Sequence, residues 1–336
     1  MVLIAIWGAG AIGGTIGAYL IRAGHDVVFV DQDADHVAAL NGRGITIEGP
    51  IETFTAPARA VLPDQVHGTY DCILLCVKAH HTGDATRALA PHLTYQGCVV
   101  SLQNGLNELE ISAIVGRSRT MGAFVNFGAD YLSPGVVFYG GRGAVVLGEL
   151  DGASTPRLLS MHRLLQVFEP AAITTDNIMG YLWGKLGYGG LLFATALTNA
   201  SICEGLGAPA AQPVLTAIAS EAVAVAMAQG IEPIGFNGYD PAAFRSGGTG
   251  RAASFSAMVT HNAKSTKTHS GIWRDLAIRH RKTEVDAQLG PIVSFGSAHG
   301  VPTPAVTGLI AMIHEIEDGK RALDWANLNV LANAVL

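Results

Sequence analysis

The sequence predicts an α/β N-terminal domain with a doubly wound, mostly parallel sheet, followed by an all-α C-terminal domain. Three observations carry this prediction. The chain opens with an apolar run, a glycine-rich turn and a helical pattern, in that order. Short β-like runs recur up to about residue 178 and then vanish. Beyond that point apolar residues recur at helical spacing. With 336 residues the chain has room for two cores, and the expected boundaries are 1–178 and 179–336.

The first unit is the most legible. Val2 to Trp7 is a short apolar run suited to a buried parallel strand. Gly8-Ala9-Gly10-Ala11-Ile12-Gly13 follows, with the form G-x-G-x-x-G. Ile12, Ile16, Tyr19 and Leu20 then share one helical face, and Gly24 ends the helix. A second apolar run, Val27 to Val30, leads into Asp31. Strand, glycine turn, helix and a strand closed by an acid form the context in which this motif binds a dinucleotide. Gly8 permits the tight turn, Gly10 lets backbone approach a pyrophosphate, and Gly13 lets helix pack on sheet. The helix N-terminus offers unpaired N–H groups to the phosphates. The first domain is therefore expected to be a Rossmann domain. A carboxylate at Asp31 can accept from both ribose hydroxyls and would repel a 2′-phosphate. No lysine or arginine stands between Gly24 and Arg43, so NAD(H) is favoured over NADP(H).

Asp71 to Val77 and Gly97 to Leu102 read as further buried strands. The loops after them, Lys78-Ala79-His80-His81-Thr82 and Gln103-Asn104-Gly105, should lie at the carboxyl ends of the strands, where such sheets bind ligands. Adjacent histidines share no helix or strand face, so His80 and His81 read as structural or cofactor-lining residues. The runs AFVNFGA, GVVFY and GAVVLGE between Met121 and Glu149 suggest three more strands. Leu158 to Phe168 is an amphipathic helix, and Ala171 to Ile178 a last strand and linker. In the second half, helices are expected over Tyr181 to Ser201, Pro213 to Ala228 and about Val285 to Gly296. The last is stopped by Gly300, Pro302 and Pro304, and a final helix follows from about Ala305 to Ile316.

Composition excludes several classes. A formal charge of −6 offers no attraction for nucleic acid. The mean hydropathy of +0.33 raises the question of a membrane. No apolar run reaches the ~20 residues a spanning helix needs, and the richest, Val214 to Ala228, carries Glu221. The N-terminus lacks a basic region and reads as strand and turn rather than signal peptide. Cys72, Cys76, Cys98 and Cys203 sit in apolar runs without metal-ligand spacing. They are expected to be reduced core residues of a cytoplasmic protein, with no metal site.

Lys185 stands in the otherwise apolar stretch LWGKLGYGGLLF, and burial there would lower a lysine pKa toward a working general acid. Glu284 opens the helix of TEVDAQLG, where a first-turn acid is also ordinary helix chemistry. Lys264, Lys267, Arg274, Arg279, Arg281 and Lys282 form a basic stretch, readable equally as an anion-attracting surface or as a solvated loop.

These parts together resemble the ketopantoate reductase (2-dehydropantoate 2-reductase) family. The resemblance is carried by WGAGAIGGTIGAYL, CVKAHHT, SLQNGLNE, SPGVVFYGGRGAVVLGE, LWGKL and RKTEVDAQLGPIV…HGVPTP, and it spans nearly the whole chain. It implies NAD(P)-dependent reduction of a 2-oxo acid to a 2-hydroxy acid, in a cleft between a Rossmann and a helical domain. For ketopantoate itself the pathway would be pantothenate biosynthesis. By resemblance Lys185 is the general acid and Glu284 lies in the active site. Asn104 is placed near nicotinamide and substrate, and Lys78 is a cofactor-side lysine. A homodimer through the helical domain rests on the resemblance alone.

The departures are specific. Family members carry asparagines four and eight residues after the lysine, where this chain has Gly189 and Phe193. That change favours a bulkier or less polar substrate, such as another oxo acid, an opine or a polyol. Ser270 is the best match to the substrate-binding serine, in a segment that departs from the usual pattern. Asp31 replaces the family's arginine, so the NADP habit does not carry over. A non-catalytic NAD(H)-binding redox sensor is the reading from another class, and retention of Lys185 and Glu284 argues against it.

Overall fold

The computed structural model describes residues 3–265 and 267–335; Val2, assigned above to the first strand, lies outside them. The chain forms two compact units, Met1–Ile178 and Met179–Leu336.

In the first unit, β1 (Ile4–Trp7) is wholly buried and runs parallel between β2 (Val27–Val30) and β6 (Tyr70–Leu75). Ile4 stands opposite both Val27 and Cys72. Helix α1 (Ala11–Arg22) connects β1 to β2 and buries Ile16, Tyr19 and Leu20, as their spacing predicts. The chain then builds α2 (Ala34–Arg43), β3 (Ile45–Glu48), β4 (Phe54–Ala56) and β5 (Ala60–Val61) before returning to β6. Next come α3 (Thr82–Leu89), β7 (Leu93–Ser101), α4 (Asn107–Val115), β8 (Thr120–Ser133), β9 (Val136–Glu149), α5 (Pro156–Gln166) and β10 (Ile173–Thr174). The sheet order is β4-β3-β9-β8-β7-β6-β1-β2-β5, with β10 beside β9. Among the described strands of this sheet, the β3–β4 and β8–β9 pairings are antiparallel and the others parallel. After β2 and β5 the chain crosses to the other side of β1. The carboxyl ends of β1, β2 and β6 therefore flank the switch point at which such sheets take up ligands.

Several expectations need correction. The strand expected to reach Val77 ends at Leu75, because the glycine turn after β1 occupies the space beside Cys76 and Val77. The three short runs after Met121 are two strands of 14 residues each, paired from Met121–Glu149 to Ser133–Val136. Glycines at 128, 140, 141 and 143 interrupt the apolar pattern without ending either strand. Ala171 to Ile178 holds only the two residues of β10. Strands β3, β4 and β5 have only two to four residues, too few to show a periodic pattern in the sequence.

The second unit is helical: α6 (Ile178–Thr195), α7 (Ile202–Gly207), α8 (Gln212–Ala228), α9 (Arg251–Asn262), α10 (Gly271–Ala277), α11 (Val285–His299), α12 (Pro304–Glu317) and α13 (Ala326–Val335). Helix α6 stops short of the expected Ser201. There the chain turns so that Leu197 O accepts from Asp324 N and Asn327 Nδ2, at 3.0 and 2.9 Å. The helix expected to be last is followed by α13. Helix α8 packs against α11, α12 and α13. Its one acid, Glu221, caps α12. Oε1 accepts from Ala305 N and Oε2 from Val306 N, both at 2.8 Å, and so satisfies two donors of the first turn. Burial pushes the Glu221 carboxyl up from its ordinary value, while the two backbone bonds pull against that rise.

Glu221→Ala leaves two buried N–H groups without acceptors and should cost about 1–3 kcal/mol. Urea unfolding of the intact protein checks this. An unchanged midpoint would contradict the capping role.

Candidate functional site

The glycine turn is fixed from several sides. Gly8 adopts φ +98, a left-handed value that a side chain would strain. A Cβ there would lie 2.8 Å from Val77 N, so the loop after β6 is in direct contact with the turn. Gly8 N donates to Val30 O at 2.8 Å, which ties the turn to β2. A Cβ on Gly13 would lie 2.8 Å from Ile6 Cγ2 and 3.0 Å from Cys76 Cβ, so only glycine lets α1 lie this close to the sheet. Gly10 is the N-cap of α1, and a Cβ built on it meets nothing within 4 Å. Gly10, Ala11 and Ile12 are half-buried, while Ala9 is fully buried. The first turn of α1 carries no acidic residue. Open space, aligned N–H donors and the positive end of the helix dipole together fit a pyrophosphate.

Asp31 follows β2 directly. Its Oδ2 accepts from Ala9 N at 2.8 Å and its Oδ1 from Asp33 N at 3.0 Å. Each carboxylate oxygen keeps a further lone pair for a ribose hydroxyl. Asp33 caps α2, accepting from Asp35 N and His36 N. The Tyr131 phenol is pushed up by burial and further by the charges of Asp33, Asp31 and Asp35. The rim of this subsite is thus acidic. Arg43, at the far end of α2, donates to Pro134 O.

Lys78 is exposed and precedes the short 3₁₀ turn Ala79–His81. The His80 and His81 rings lie 4.1 Å apart. Among the described residues no group of three or more His, Cys, Asp or Glu side chains is placed to hold a metal. Asn104 is exposed after β7, and its carbonyl accepts from Asn107 Nδ2 at 2.7 Å. Sequence reasoning missed the residues that hold this loop. Buried Gln103 donates through Nε2 to Val77 O at 2.9 Å and Thr82 Oγ1 at 2.8 Å. Thr82 Oγ1 in turn donates to Asn107 Oδ1 at 3.1 Å. Polar residues directly after a buried strand, in SLQNGLN, were the available signal.

In the second unit Lys185 and Gly189 are half-buried and lie one turn apart on α6. Phe193, two turns on, is fully enclosed by protein. Helices α6 and α11 run antiparallel: the Trp183 and Phe295 rings are 6.1 Å apart, while Gly190 faces Leu289. A Cβ on Gly189 would have Gln288 Oε1 as its nearest neighbour, at 4.0 Å. Lys185 and Glu284 therefore stand toward opposite ends of a shared stripe, offset by about two turns, with Gly189 and Gln288 between them. Gln288 lies one turn after Glu284 and was not singled out in the sequence. Ser270, expected at the substrate, is buried as the N-cap of α10, where its Oγ accepts from Trp273 N at 3.1 Å. In the basic stretch, Arg279 and Arg281 both bond Asp275.

Glu284 is the N-cap residue of α11, and no side-chain bond caps the helix there. Its neighbours are tied to α12. Thr283 donates through both N and Oγ1 to Glu317 Oε1 at 2.7 Å. His314 bridges Glu317 Oε2 at 3.1 Å and Asp286 Oδ1 at 2.9 Å. Burial pulls the His314 pKa down, but the hydrogen bonds and charges of Asp286 and Glu317 outweigh it, so the net shift is upward.

A histidine raised in the folded state stabilises fully below its unfolded pKa of about 6.5, and the contribution is lost as pH rises through the folded value. His314→Ala should therefore lower Tm by roughly 2 °C at pH 6 and by less at pH 9. Differential scanning calorimetry at both values checks it. An equal loss at both would contradict the charged bridge.

The family model described as ketopantoate reductase PanE/ApbA matches residues 4–152, and that described as ketopantoate reductase PanE/ApbA C terminal matches residues 177–317. The 2-dehydropantoate 2-reductase of Pyrococcus abyssi is 32% identical over 188 residues, covering 54% of this chain and 59% of the relative. That of Archaeoglobus fulgidus is 27% identical over 317 residues, covering 94% and 98%. The crystal structure of a PanE/ApbA family ketopantoate reductase from Ralstonia eutropha aligns with TM-score 0.79 at 28% identity, over 94% of this chain and 99% of that one. A D-mandelate dehydrogenase solved with NADH and anilino(oxo)acetate aligns with TM-score 0.80 at 24% identity, over 94% and 99%, which is a likeness of fold. The glycine turn, the parallel sheet and the helical second unit thus have one common source: the chain belongs to the ketopantoate reductase PanE/ApbA family of NAD(P)-dependent oxidoreductases.

Proposed function

We propose that the protein reduces a 2-oxo acid to the corresponding 2-hydroxy acid with NADH. The observation that carries the cofactor choice is Asp31, whose carboxylate is aimed by Ala9 N and Asp33 N at the end of β2 and lies in an acidic rim. A 2′-phosphate would meet that negative charge, and no lysine or arginine stands between Gly24 and Arg43 to receive it from β2 or the start of α2. Bound NADH would supply the hydride for substrate C2. Gly8 to Gly13 and the α1 N-terminus would hold its pyrophosphate, and Asp31 would accept from its ribose. Lys78 and Asn104, on the loops after β6 and β7, face the cofactor. Lys185 gives a proton to the C2 carbonyl oxygen as the new C–H bond forms, so the alkoxide never accumulates. Glu284, offset along the stripe from Lys185, binds the substrate's far end.

A second reading of the substrate rests on one feature. Gly189 leaves a gap toward Gln288 where the resemblance expects an asparagine. That gap favours an oxo acid bulkier than ketopantoate, with Gln288 as its polar partner. Phe193 and Ser270 are weaker contacts in this reading, since one is enclosed and the other caps a helix. Opine and polyol substrates, and a non-catalytic sensor, have no structural feature in their favour. The four cysteines are free, which suits a cytoplasmic setting. A homodimer remains the resemblance's implication, which light scattering reads directly.

Two measurements test the proposal. In an absorbance assay over a panel of 2-oxo acids, kcat/KM with NADH should exceed that with NADPH by at least about tenfold, or 1.4 kcal/mol, and Asp31→Arg should reverse the order. Preference of the native protein for NADPH would sink the cofactor assignment. Lys185→Ala should lower kcat by about 10²–10⁴ with NADH affinity unchanged. Intact turnover would rule Lys185 out as the acid.

A further inference from the structure

Helix α2 carries a buried histidine that the proposed reaction does not use. His36 is 1% exposed, although it lies only three residues from the Asp33 cap that opens the helix. Its two ring nitrogens hold two distant stretches of backbone. Nδ1 accepts from Gly135 N at 2.9 Å, at the tip of the β8–β9 hairpin. Nε2 lies 3.0 Å from Ala9 O, inside the glycine turn. A backbone N–H can only donate, so Nδ1 carries no proton, and Nε2–H donates to Ala9 O. The Tyr131 ring closes the pocket edge-on at 5.1 Å.

The Ala9 carbonyl belongs to the same planar trans peptide as the Gly10 N–H, and no peptide bond in the described chain is cis. In such a unit C=O and N–H point in opposite directions. Fixing Ala9 O toward His36 therefore fixes the Gly10 N–H away from it. The preceding peptide is fixed by Ala9 N donating to Asp31 Oδ2. Both peptide planes flanking Ala9 are thus set by side chains, one from the end of β2 and one from α2.

We propose that His36 is a positioning residue of the dinucleotide site: by holding Ala9 O it aims the Gly10 N–H at the pyrophosphate. Its bond to Gly135 serves a separate purpose and holds the hairpin tip over α2. The inference rests on the glycine turn as the dinucleotide site, and does not depend on the choice between NAD and NADP or on Lys185.

The two bonds can be separated. Glutamine at this position places an amide N–H near the site of Nε2, and asparagine places an amide oxygen near the site of Nδ1. His36→Gln keeps the bond to Ala9 and loses that to Gly135. His36→Asn does the reverse. Calorimetric titration with ADP-ribose, which lacks the nicotinamide, reads the pyrophosphate site alone, with thermal unfolding measured beside it. His36→Gln should bind ADP-ribose within about threefold of the native protein. His36→Asn should bind about five- to tenfold more weakly, the net loss of one oriented hydrogen bond, even where the two variants melt together. Equal affinities, or affinities that follow only the melting temperatures, would overturn the proposal. Should neither variant fold, the native protein still decides. Its Gly10 amide resonance must shift on addition of ADP-ribose, and an unmoved resonance would overturn the assignment. No binding of ADP-ribose to the native protein would instead remove the dinucleotide site itself.

Discussion

The first unit depends on how closely backbone approaches backbone at the glycine turn. Gly8 lies against the backbone of Cys76 and Val77, and Gly13 against the Ile6 and Cys76 side chains. Only that approach brings the N-terminus of α1 to the carboxyl end of β1, at the switch point of the sheet. Several other features answer to this contact. The strand before Cys76 ends early, the loop after β6 is braced by Gln103 from the loop after β7, and Asp31 and His36 hold the peptides on either side of Ala9. A substitution that widened the turn by one methyl group would strain all of these together.

The second unit solves a different problem. Several of its polar side chains hold a helix end or a segment. Glu221 caps α12 from within α8. Glu317 and His314 of α12 hold Thr283 and Asp286 on either side of Glu284. Glu284 and Gln288 thus sit on a helix whose start is tied to α12. That is what a site needs if its groups are to keep their spacing when a substrate arrives.

Local order explains what the sequence revealed. Strand, glycine turn, helix and acid at Gly8 to Asp31 lie within a few dozen residues and obey periodicities that can be read directly. Lys185 stood out because an isolated charge in an apolar helix has few ordinary explanations. Long-range partners were not legible. Nothing in HVAAL says that His36 reaches Ala9 and Gly135, and nothing in TEVDAQLG says that Gln288 faces Gly189. The hairpin from Thr120 to Glu149 was read as separate strands because its glycines break alternation while its pairing continues. Phe193 and Ser270 were placed by resemblance. The structure shows one enclosed and the other engaged as a helix cap, features set by neighbours far along the chain.

The proposed choice of NADH over NADPH turns on Asp31 at the end of β2, and its most direct test needs neither substrate nor turnover. Calorimetric titration of the native protein with ADP-ribose and with 2′-phospho-ADP-ribose compares ligands that differ by one phosphate. Binding of ADP-ribose at least about tenfold tighter, a difference of 1.4 kcal/mol, is the predicted result. Equal binding, or tighter binding of the 2′-phosphorylated ligand, would contradict it.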